Sequence, residues 1–482
     1  MFINKKCLKH KNVIISKGTS FLTLCLIMIL SVFTFSCEST ETENTEEVAV
    51  VEPSDEKPVD QKQEPQKEPI PESPKQEEPE VFTLQAFLEK LSATLKSGTV
   101  EEALALYNDI PEEFANNFDL LYVKASLLVS CGDYENAKLI ANQLKELDPE
   151  NTDVLMLLSV IAKATGSKAE KNALLKEILA KNPRHSGANT ELGHEQMLKS
   201  NFKLANRYYL TALSGEANNL DALAGYGQSS YYLGNIKDAK STFNKMLEID
   251  ETNAFAWAYL GKLEAETPDY SQALEYVENA IKYEPDYYDY WLDYGTYLHN
   301  LNRNAEAEHA WTKAIELRPD YFLGYVYRGG LYDEMEEVEK AYADYKTVNQ
   351  LYPEYYFAYE SLGILAWGSG DYAASRDGFS KAYEIYPAST SYPLMIAATY
   401  YMEAYEKQGT PEEATLKKAG KDYLAKVALK KLDRNSTEYA IARLFYDNVA
   451  PGSVAQKVEN ETNANKRGKY LFYLALYYQI RG

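Results

Sequence analysis

Small residues, large apolar residues and prolines recur along the chain with a period of 34 residues. In frames that begin at residues 84, 118, 152, 186, 220, 254, 288, 322 and 356, the eighth position is glycine six times in succession (Gly193, Gly227, Gly261, Gly295, Gly329 and Gly363). The twentieth position is alanine in seven frames (Ala103, Ala137, Ala205, Ala239, Ala273, Ala307 and Ala341). The thirty-second is proline in six (Pro149, Pro183, Pro285, Pro319, Pro353 and Pro387). Such a strict period is typical of a solenoid of stacked helical repeats.

Each recurrent residue type has a physical reason within a pair of helices. Glycine and alanine allow two helices to cross closely, while aromatic residues and leucine fill the wider gaps, so that volumes alternate as close packing demands. Proline closes the frame because it cannot donate the backbone hydrogen bond that would continue the second helix. These positions are therefore predicted to be structural.

The frame that begins at residue 254 resembles the tetratricopeptide repeat, through Trp257, Leu260, Gly261, Ala273 and Pro285. The aromatic residue that the family places after the alanine occurs in other frames (Tyr209, Phe243, Trp311, Tyr345 and Phe379). The resemblance implies an all-α fold, a right-handed superhelical solenoid of 34-residue helix-turn-helix repeats, with nine tandem repeats over residues 84–389. The departures include Lys171 at an alanine position, Glu251 at a proline position, and a first frame that lacks both the glycine and the proline.

Residues 390–482 break the period and are predicted to form a divergent tenth repeat and a C-terminal helical cap. We expect a lengthened second helix that begins at Pro411, a helix over residues 436–448 with a Ser-Thr-Glu capping signature, and a final helix over residues 468–481. The final helix resembles the first helix of a repeat and is apolar on nearly every face. It must be covered, either by the lengthened helix or by a second subunit in a homo-oligomer.

The first 36 residues have the layout of a secretory signal peptide, with five lysines and no acid before an apolar run from Phe21 to Phe35. Ser36 and Cys37 then resemble the lipobox of bacterial lipoproteins, with Thr34 where leucine is usual. Looser lipoboxes of this kind are typical of spirochaetal lipoproteins. The resemblance implies lipidation at Cys37. The alternatives are cleavage elsewhere without a lipid, or an uncleaved anchor, although the apolar run is short for a membrane span.

Residues 37–83 are predicted to be a disordered acidic tether. Between residues 38 and 80 there are 15 acids, 4 lysines, 7 prolines and no aromatic residue, which is too little apolar surface to offset the entropy of ordering the chain. With the leader removed, Cys37 and Cys131 are the remaining cysteines, so a lipidated Cys37 would preclude an internal disulfide.

The net charge of −22 argues against nucleic acid as a partner, because nucleic-acid binding rests on a cationic surface. His185 and His194 lie near Glu191 and Glu195 in sequence, but without the i, i+4 spacing of a helical metal pair. No nucleotide-binding or catalytic motif is recognisable. We therefore predict no metal, no cofactor and no enzymatic activity.

The resemblance implies that partners bind in a concave groove lined by positions 2, 5, 9, 12 and 13 of each first helix. The candidate contact residues there are Tyr122, Tyr231, Tyr232, Phe255, Asp289, Asp333, Phe357, Trp367 and Tyr401. Further acids on these positions are Asp153, Asp221, Glu334 and Glu360. The carboxylate clamp of chaperone-binding members needs Lys, Arg and Asn, and among these residue types only Lys262 occurs at a fifth or ninth position.

Aromatic side chains with interspersed acids suit an extended peptide or a partner helix of some basic character. The alternative is that several tyrosines simply pack between repeats. The sequence therefore predicts a lipid-anchored scaffold for protein-protein interactions in the bacterial cell envelope, facing the periplasm. A second hypothesis is a ligand-handling partner of a periplasmic solute transport system, which a pore or an enclosed apolar pocket would favour, whereas an open groove favours the scaffold.

Overall fold

The computed structural model describes residues 82–447 and 449–481, and all regular structure within those ranges is helical. In chain order the α-helices are α1 (Leu84–Ser97), α2 (Val100–Ala105), α3 (Phe118–Ser130), α4 (Tyr134–Leu147), α5 (Thr152–Ala164), α6 (Lys168–Lys181), α7 (Ser186–Leu198), α8 (Phe202–Gly215), α9 (Leu220–Tyr232), α10 (Ile236–Ile249), α11 (Ala254–Ala265), α12 (Tyr270–Tyr283), α13 (Tyr288–Asn300), α14 (Asn304–Leu317), α15 (Leu323–Glu334), α16 (Val338–Leu351), α17 (Tyr356–Gly368), α18 (Tyr372–Ile385), α19 (Tyr392–Glu406), α20 (Pro411–Tyr423), α21 (Leu429–Lys431), α22 (Thr437–Asp447), α23 (Pro451–Glu459) and α24 (Ala464–Arg481). The chain divides into two compact units after Glu251. The predicted signal peptide, Cys37 and nearly all of the predicted tether lie outside the described residues.

The helices follow the 34-residue frames. A first helix begins at the first position of eight of the nine frames, and from the frame at residue 118 onward every second helix begins at the seventeenth position. The predicted all-α fold of helix-turn-helix repeats is confirmed. No helix in the described part of the chain is both long enough and apolar enough to cross a membrane.

The turn between the two helices of a frame requires a left-handed residue at the fifteenth position. Glycine supplies it at Gly132 (φ 85°) and Gly370 (φ 78°), where the absence of a Cβ makes this conformation inexpensive. Asn302 and Glu336 adopt it at φ 61° and 59°. A left-handed residue at the fifteenth position is thus a second periodic feature of the frames, in addition to the recurrent glycine, alanine and proline. It is weaker in the sequence because residue types other than glycine also occupy it.

Five of the six glycines at the eighth position lie against an aromatic ring of the second helix in the same frame. The exception is Gly261, where an added Cβ would lie 3.1 Å from the carbonyl oxygen of Ala273. A Cβ added at Gly193 would lie 2.6 Å from Tyr209, and one at Gly227 would lie 2.7 Å from Phe243. In the second unit a Cβ at Gly295 would lie 2.5 Å from the Nε1 atom of Trp311. The predicted reason for the glycines is therefore the observed one, because the ring occupies the space of the missing side chain.

The first frame departs from the others because its second helix is short. Thr99 and Glu102 form a capping box at the start of α2, but α2 ends at Ala105 and gives way to 3₁₀ turns. Pro111 lies where the second helix of a regular frame continues, and a residue that precedes proline disfavours the α conformation. The α1 helix is capped by Thr83, whose Oγ1 accepts the N–H of Ala86 at 3.2 Å.

The C-terminal segment, residues 390–481, contains the predicted helices. The lengthened helix begins at Pro411 and continues through a π-helical turn, Leu424–Ala428, into α21. The predicted capping signature is used, because Ser436 Oγ accepts the N–H of Tyr439 at 3.1 Å at the start of α22.

The final helix α24 is covered on one side within its own unit. Five of its side chains are buried in a core shared with α19, α22 and α23 (Tyr470, Tyr473, Leu474, Leu476 and Tyr477). The lengthened helix contributes Leu424 and Ala428 to the same core. The other side of α24 is exposed, with Leu471 at 50% and Tyr478 at 52%.

Candidate functional site

The surface of interest consists of positions 2, 5, 9, 12 and 13 of the first helices, which we call the first-helix face. In the first unit Tyr232 is 40% exposed and stacks on Phe202 with ring centroids 4.7 Å apart. Tyr231 is half-buried and meets Tyr232 edge-on at 5.5 Å. Tyr122 packs half-buried against the core of α3 to α6, and burial, with the charge of Asp153, raises its pKa. Tyr232 is therefore accessible, whereas Tyr122 mainly contributes to packing.

A buried ion network joins α5, α6 and α7 in the same unit. The Lys171 amine is ion-paired with Glu195 and lies 3.2 Å from Glu191, and the Lys171 side chain is 8% exposed. Glu191 also accepts a hydrogen bond of 2.6 Å from Lys163. Lys171 stands at the position that is alanine in seven frames. In this frame, charge pairing replaces small-residue packing.

Ion pairing outweighs burial in setting the pKa values of this network. Burial of Lys171 disfavours its charged form, but the hydrogen bond to Glu195 and the charge of Glu191 raise its pKa above the ordinary value. Burial also opposes ionisation of Glu191, but Lys163 and Lys171 lower its pKa. Lys171 and Glu191 therefore remain charged through the neutral range, which suits a structural role and not proton transfer.

Three histidines each lie near one carboxylate of a first helix. The separations of the Nε2 atoms from the nearest carboxylate oxygen are 3.7 Å for His185 and Asp153, 3.5 Å for His194 and Asp221, and 3.5 Å for His299 and Glu334. His185 also caps α7, because its Nδ1 atom accepts the N–H of Ala188. Within residues 82–447 and 449–481, no group of three or more His, Cys, Asp or Glu side chains is placed to hold a metal ion.

In the second unit, the residue of the first-helix face that could serve in a carboxylate clamp is Lys262, and it is already in an ion pair. Lys262 is ion-paired with Asp293 of α13. Asp289, one turn earlier on α13, has a raised pKa because of burial, which Lys262 opposes and Asp293 reinforces. Phe255 packs against Tyr259 with ring centroids 4.6 Å apart. Since Asp293 already neutralises Lys262, the face is poorly suited to a terminal carboxylate ligand.

In the second unit, the most exposed apolar side chains of this face are on α17. Phe357 is 49% exposed and stacks on Tyr356 at 4.1 Å, and Ile364 is 51% exposed. Asp333, at the end of α15, is exposed, and its pKa is raised by partial desolvation and by the neighbouring Glu334. Ile364 is not among the predicted contact residues, because those were chosen as aromatic or acidic side chains. Its ninth position in the frame nevertheless places it on the same face.

Two candidate contact residues belong instead to the core of the C-terminal segment. Tyr401 is 8% exposed, and its hydroxyl donates a 3.0 Å hydrogen bond to the carbonyl of Phe445. Trp367 is half-buried and packs edge-on against Phe472 of α24 at 5.6 Å. Tyr401 is therefore unavailable to a partner, and Trp367 presents only part of its ring.

Several tyrosines pack between frames and donate hydrogen bonds to carboxylates. The hydroxyl of Tyr332 donates to Glu308 at 2.6 Å, and that of Tyr392 donates to Glu360 at 2.8 Å. Burial and these carboxylates raise the pKa of both tyrosines. Such pairs support the alternative interpretation, packing between repeats, for part of the tyrosine content. The accessible part of the predicted set reduces to Tyr232, Phe357 and Asp333, with half-buried neighbours.

Comparison with known proteins identifies the repeat. Family models for the tetratricopeptide repeat match residues 118–151 and 260–322, so the chain contains tetratricopeptide repeats. The chain is 30% identical over 128 residues to a UDP-N-acetylglucosamine–peptide N-acetylglucosaminyltransferase of Giardia intestinalis, covering 27% of this chain and 8% of that protein. It is 24% identical over 243 residues to a TPR repeat-containing protein of Methanocaldococcus jannaschii, covering 50% of this chain and 40% of that one.

The chain therefore spans less than half the length of either of these curated relatives. Among solved structures it is similar to a chain of the APC/C heterotetramer Cut9–Hcn1, with 15% identity, a TM-score of 0.47, and coverage of 65% of this chain and 62% of that chain.

Proposed function

We propose that the protein is a lipid-anchored scaffold of the bacterial cell envelope, which faces the periplasm and binds other envelope proteins or peptides along its first-helix face. The observation that supports the proposal most directly is the exposure of large apolar side chains, at Tyr232 in one unit and at Phe357 and Ile364 in the other. Tetratricopeptide repeats commonly serve protein-protein interactions, and exposed aromatic anchors supply much of the binding energy of such interfaces.

The chemistry of this face favours a partner with apolar side chains and some basic character. Asp333 and Glu334 lie exposed at the end of α15, and Lys262 is already paired. A basic segment can therefore be attracted by the acids while its apolar residues contact the exposed rings. A peptide that presents a free C-terminal carboxylate lacks a matching cluster of unpaired cations among the described residues of this face.

The test begins with in-cell crosslinking to identify the partner, followed by measurement of its affinity for variants. A double substitution within one helix, Phe357→Ala with Ile364→Ala, should weaken binding roughly 10³-fold if each side chain contributes ~2 kcal/mol. Leu139 and Leu210 provide the matched control, because they are 68% and 54% exposed on second helices. Their double alanine variant should bind normally. Equal losses in both double variants, or none in the first, contradict the assignment of the face.

The proposed anchor is the lipid on Cys37, supported by the order of basic residues, apolar run and Ser-Cys in the first 37 residues. A Cys37→Ser variant should be released from salt-washed membranes, whereas lipidated protein should stay, because several acyl chains make release improbable. Cys131→Ser is the control and should remain membrane-bound. Retention of Cys37→Ser after the wash argues against a lipid anchor.

The second hypothesis, a ligand-handling partner of a transport system, would be favoured by a pore or an enclosed apolar pocket. A depression of about 290 Å³ lies beside Lys407, Pro411, Glu412, Thr415 and Leu416, but it is open to solvent and bordered by charged side chains. It does not favour this hypothesis over a scaffold.

A further inference from the structure

The final helix α24 has one face that its own unit leaves uncovered. Leu471, Phe472 and Tyr478 are 50%, 38% and 52% exposed. Leu471, Ala475 and Tyr478 follow the i, i+4, i+7 spacing of a single helical face, and Ala475 is exposed as well. Phe472 lies at the edge of this face, where its ring meets Trp367. The opposite face holds the buried side chains of the C-terminal core, so α24 is apolar on two sides.

All the charged residues of α24 are basic. The helix contains Lys466, Arg467, Lys469 and Arg481 and no Asp or Glu. Lys466, Arg467 and Lys469 are exposed, and no ion pair to them is present among the described residues. Arg467 lies one turn before Leu471, so a cation continues the uncovered stripe toward the N-terminus of the helix.

The surrounding segment shares this bias, in contrast to the chain as a whole. Residues 411–482 contain 13 Lys and Arg against 8 Asp and Glu, whereas the full chain contains 50 against 72. Lys426 and Lys430 on the lengthened helix, and Arg434 in the turn that follows it, are exposed and also lack an ion pair within the described residues. The uncovered apolar helix therefore lies in a segment with a net positive charge.

From this coincidence we infer that the uncovered face of α24 docks on the surface of an anionic lipid bilayer, with Leu471, Phe472 and Tyr478 entering the interface. Helices that lie in a membrane surface combine apolar and aromatic side chains with flanking Lys and Arg, which bind anionic headgroups. Lys and Arg can extend their charged ends to the headgroups while their stems contact the acyl region.

A second copy of the chain is a poorer occupant of the same face. Two α24 helices packed face to face would bring their cations together, with no carboxylate on either helix to offset the repulsion. A bilayer rich in anionic lipid supplies the opposite charge along the whole length of the helix. Docking by α24 is distinct from the proposed Cys37 anchor, because it is reversible and depends on salt.

The direct test is co-sedimentation of the chain from residue 38 onward, which carries no lipid and keeps every described residue. The probes are vesicles of 30% phosphatidylglycerol in phosphatidylethanolamine, and vesicles of phosphatidylcholine alone. We expect binding to the anionic vesicles, little binding to the zwitterionic ones, and loss of binding at 1 M salt, where the Debye length falls to about 3 Å.

Two variants test separately the apolar part and the cationic part of the proposed docking surface. Leu471→Glu with Tyr478→Glu should abolish vesicle binding. Lys466→Gln with Arg467→Gln and Lys469→Gln should lower the partition coefficient on the order of 100-fold, because each base near an anionic surface contributes about a factor of five. The control is Leu139→Glu with Leu210→Glu, on second helices of the first unit, which should bind as the parent does. All these side chains are exposed, so thermal unfolding should be nearly unchanged.

Three results would overturn the inference. These are equal binding to both kinds of vesicle, undiminished binding of the triple glutamine variant, and light scattering that shows a dimer dissolved by Leu471→Glu. The last result would assign the face to a second copy. Since the chain used here has no lipid, failure of this experiment leaves the Cys37 anchor and the first-helix face to be judged by their own tests.

Discussion

The regular frames and the C-terminal segment are both built from packed helices, but they are held together differently. In the frames the two helices of a pair come so close that a glycine is the only residue that fits opposite an aromatic ring, as at Gly295 and Trp311. In the C-terminal segment the glycine Gly468 of α24 has no atom within 4 Å of an added Cβ. There, side-chain hydroxyls join the helices, as Tyr401 does with the carbonyl of Phe445. Glycine at a fixed position thus sets the helix crossing in these frames, whereas α24 packs through its large side chains and not through its glycine.

The largest effect should come from removing the helix that completes the C-terminal core. Deletion of residues 466–482 removes five buried side chains (Tyr470, Tyr473, Leu474, Leu476 and Tyr477). At roughly 1.5–3 kcal/mol for each large buried side chain, the loss is on the order of 10 kcal/mol, which is comparable to the whole stability of a domain. We expect the second unit to unfold or aggregate, as measured by circular dichroism and solubility.

The control for this deletion keeps α24 but changes its uncovered face. Leu471→Ser with Tyr478→Ser should melt as the parent does, because both side chains are at least half exposed. A truncated chain that melted at the parental temperature would mean that the core beneath α24 does not need it.

The next largest effect concerns the one frame in which charge replaces the small residue. Lys171→Ala restores the alanine of the repeat pattern, but it leaves Glu195 without its cation and a gap where the lysine stem lies. We expect a loss of about 2–4 kcal/mol in denaturant unfolding, since breaking a buried ion pair costs more than the pair contributes. The triple variant Lys171→Ala, Glu191→Ala, Glu195→Ala should recover part of that loss. A stabilised single variant would show that the pattern alone governs this position.

The same network predicts the pH range in which the frame is stable. The pKa of Lys171 is raised on folding, so its contribution is fully present below the unfolded value and is lost as pH rises through the folded one. The pKa of Glu191 is lowered, so its contribution is present above its unfolded value and is lost as pH falls through the folded one. Denaturant unfolding should therefore show less dependence on acid and on strong alkali in the triple alanine variant than in the parent.

The sequence predicted the frames well because each depends on local spacing. A glycine, an alanine and a proline at fixed intervals locate two helices and the end of the second, and all these positions act within one frame. The final helix was recognised from its pattern, and the lengthened helix, one of its two predicted covers, contributes Leu424 and Ala428 to the core beneath it. The rest of that core comes from α19, α22 and α23, which the pattern did not indicate as neighbours. Periodicity gives no information about such contacts.

The candidate surface was harder to predict for a related reason. A position on a first helix indicates that a side chain can face a partner, but not whether another helix already covers it. Tyr401 and Phe357 both occupy such positions, yet one is buried by Phe445 and α24 while the other is half exposed. The pairing of Lys262 with Asp293 likewise depends on the distance between neighbouring frames, which the spacing of charges along the chain does not give.

The difference between the regular frames and the C-terminal segment can be tested with the same substitution in each. These are Gly295→Ala in a regular frame and Gly468→Ala in α24. In the frame, the new methyl group would lie 2.5 Å from the Nε1 atom of Trp311, whose N–H donates to the carbonyl of Leu292 at 3.2 Å. The ring cannot move without breaking that bond, so we expect a loss of about 1–3 kcal/mol.

In α24 the methyl group meets open space, and alanine is favoured over glycine in a helix by ~0.5–1 kcal/mol, partly because it restricts the unfolded chain. The same change should therefore lower the unfolding midpoint in denaturant at residue 295 and raise it slightly at residue 468. Because both substitutions add one methyl group to a helical glycine, helix propensity alone would stabilise both variants. A stable Gly295→Ala protein would thus show that the ring of Trp311 can give way, and that close helix crossing is not what requires glycine in the regular frames.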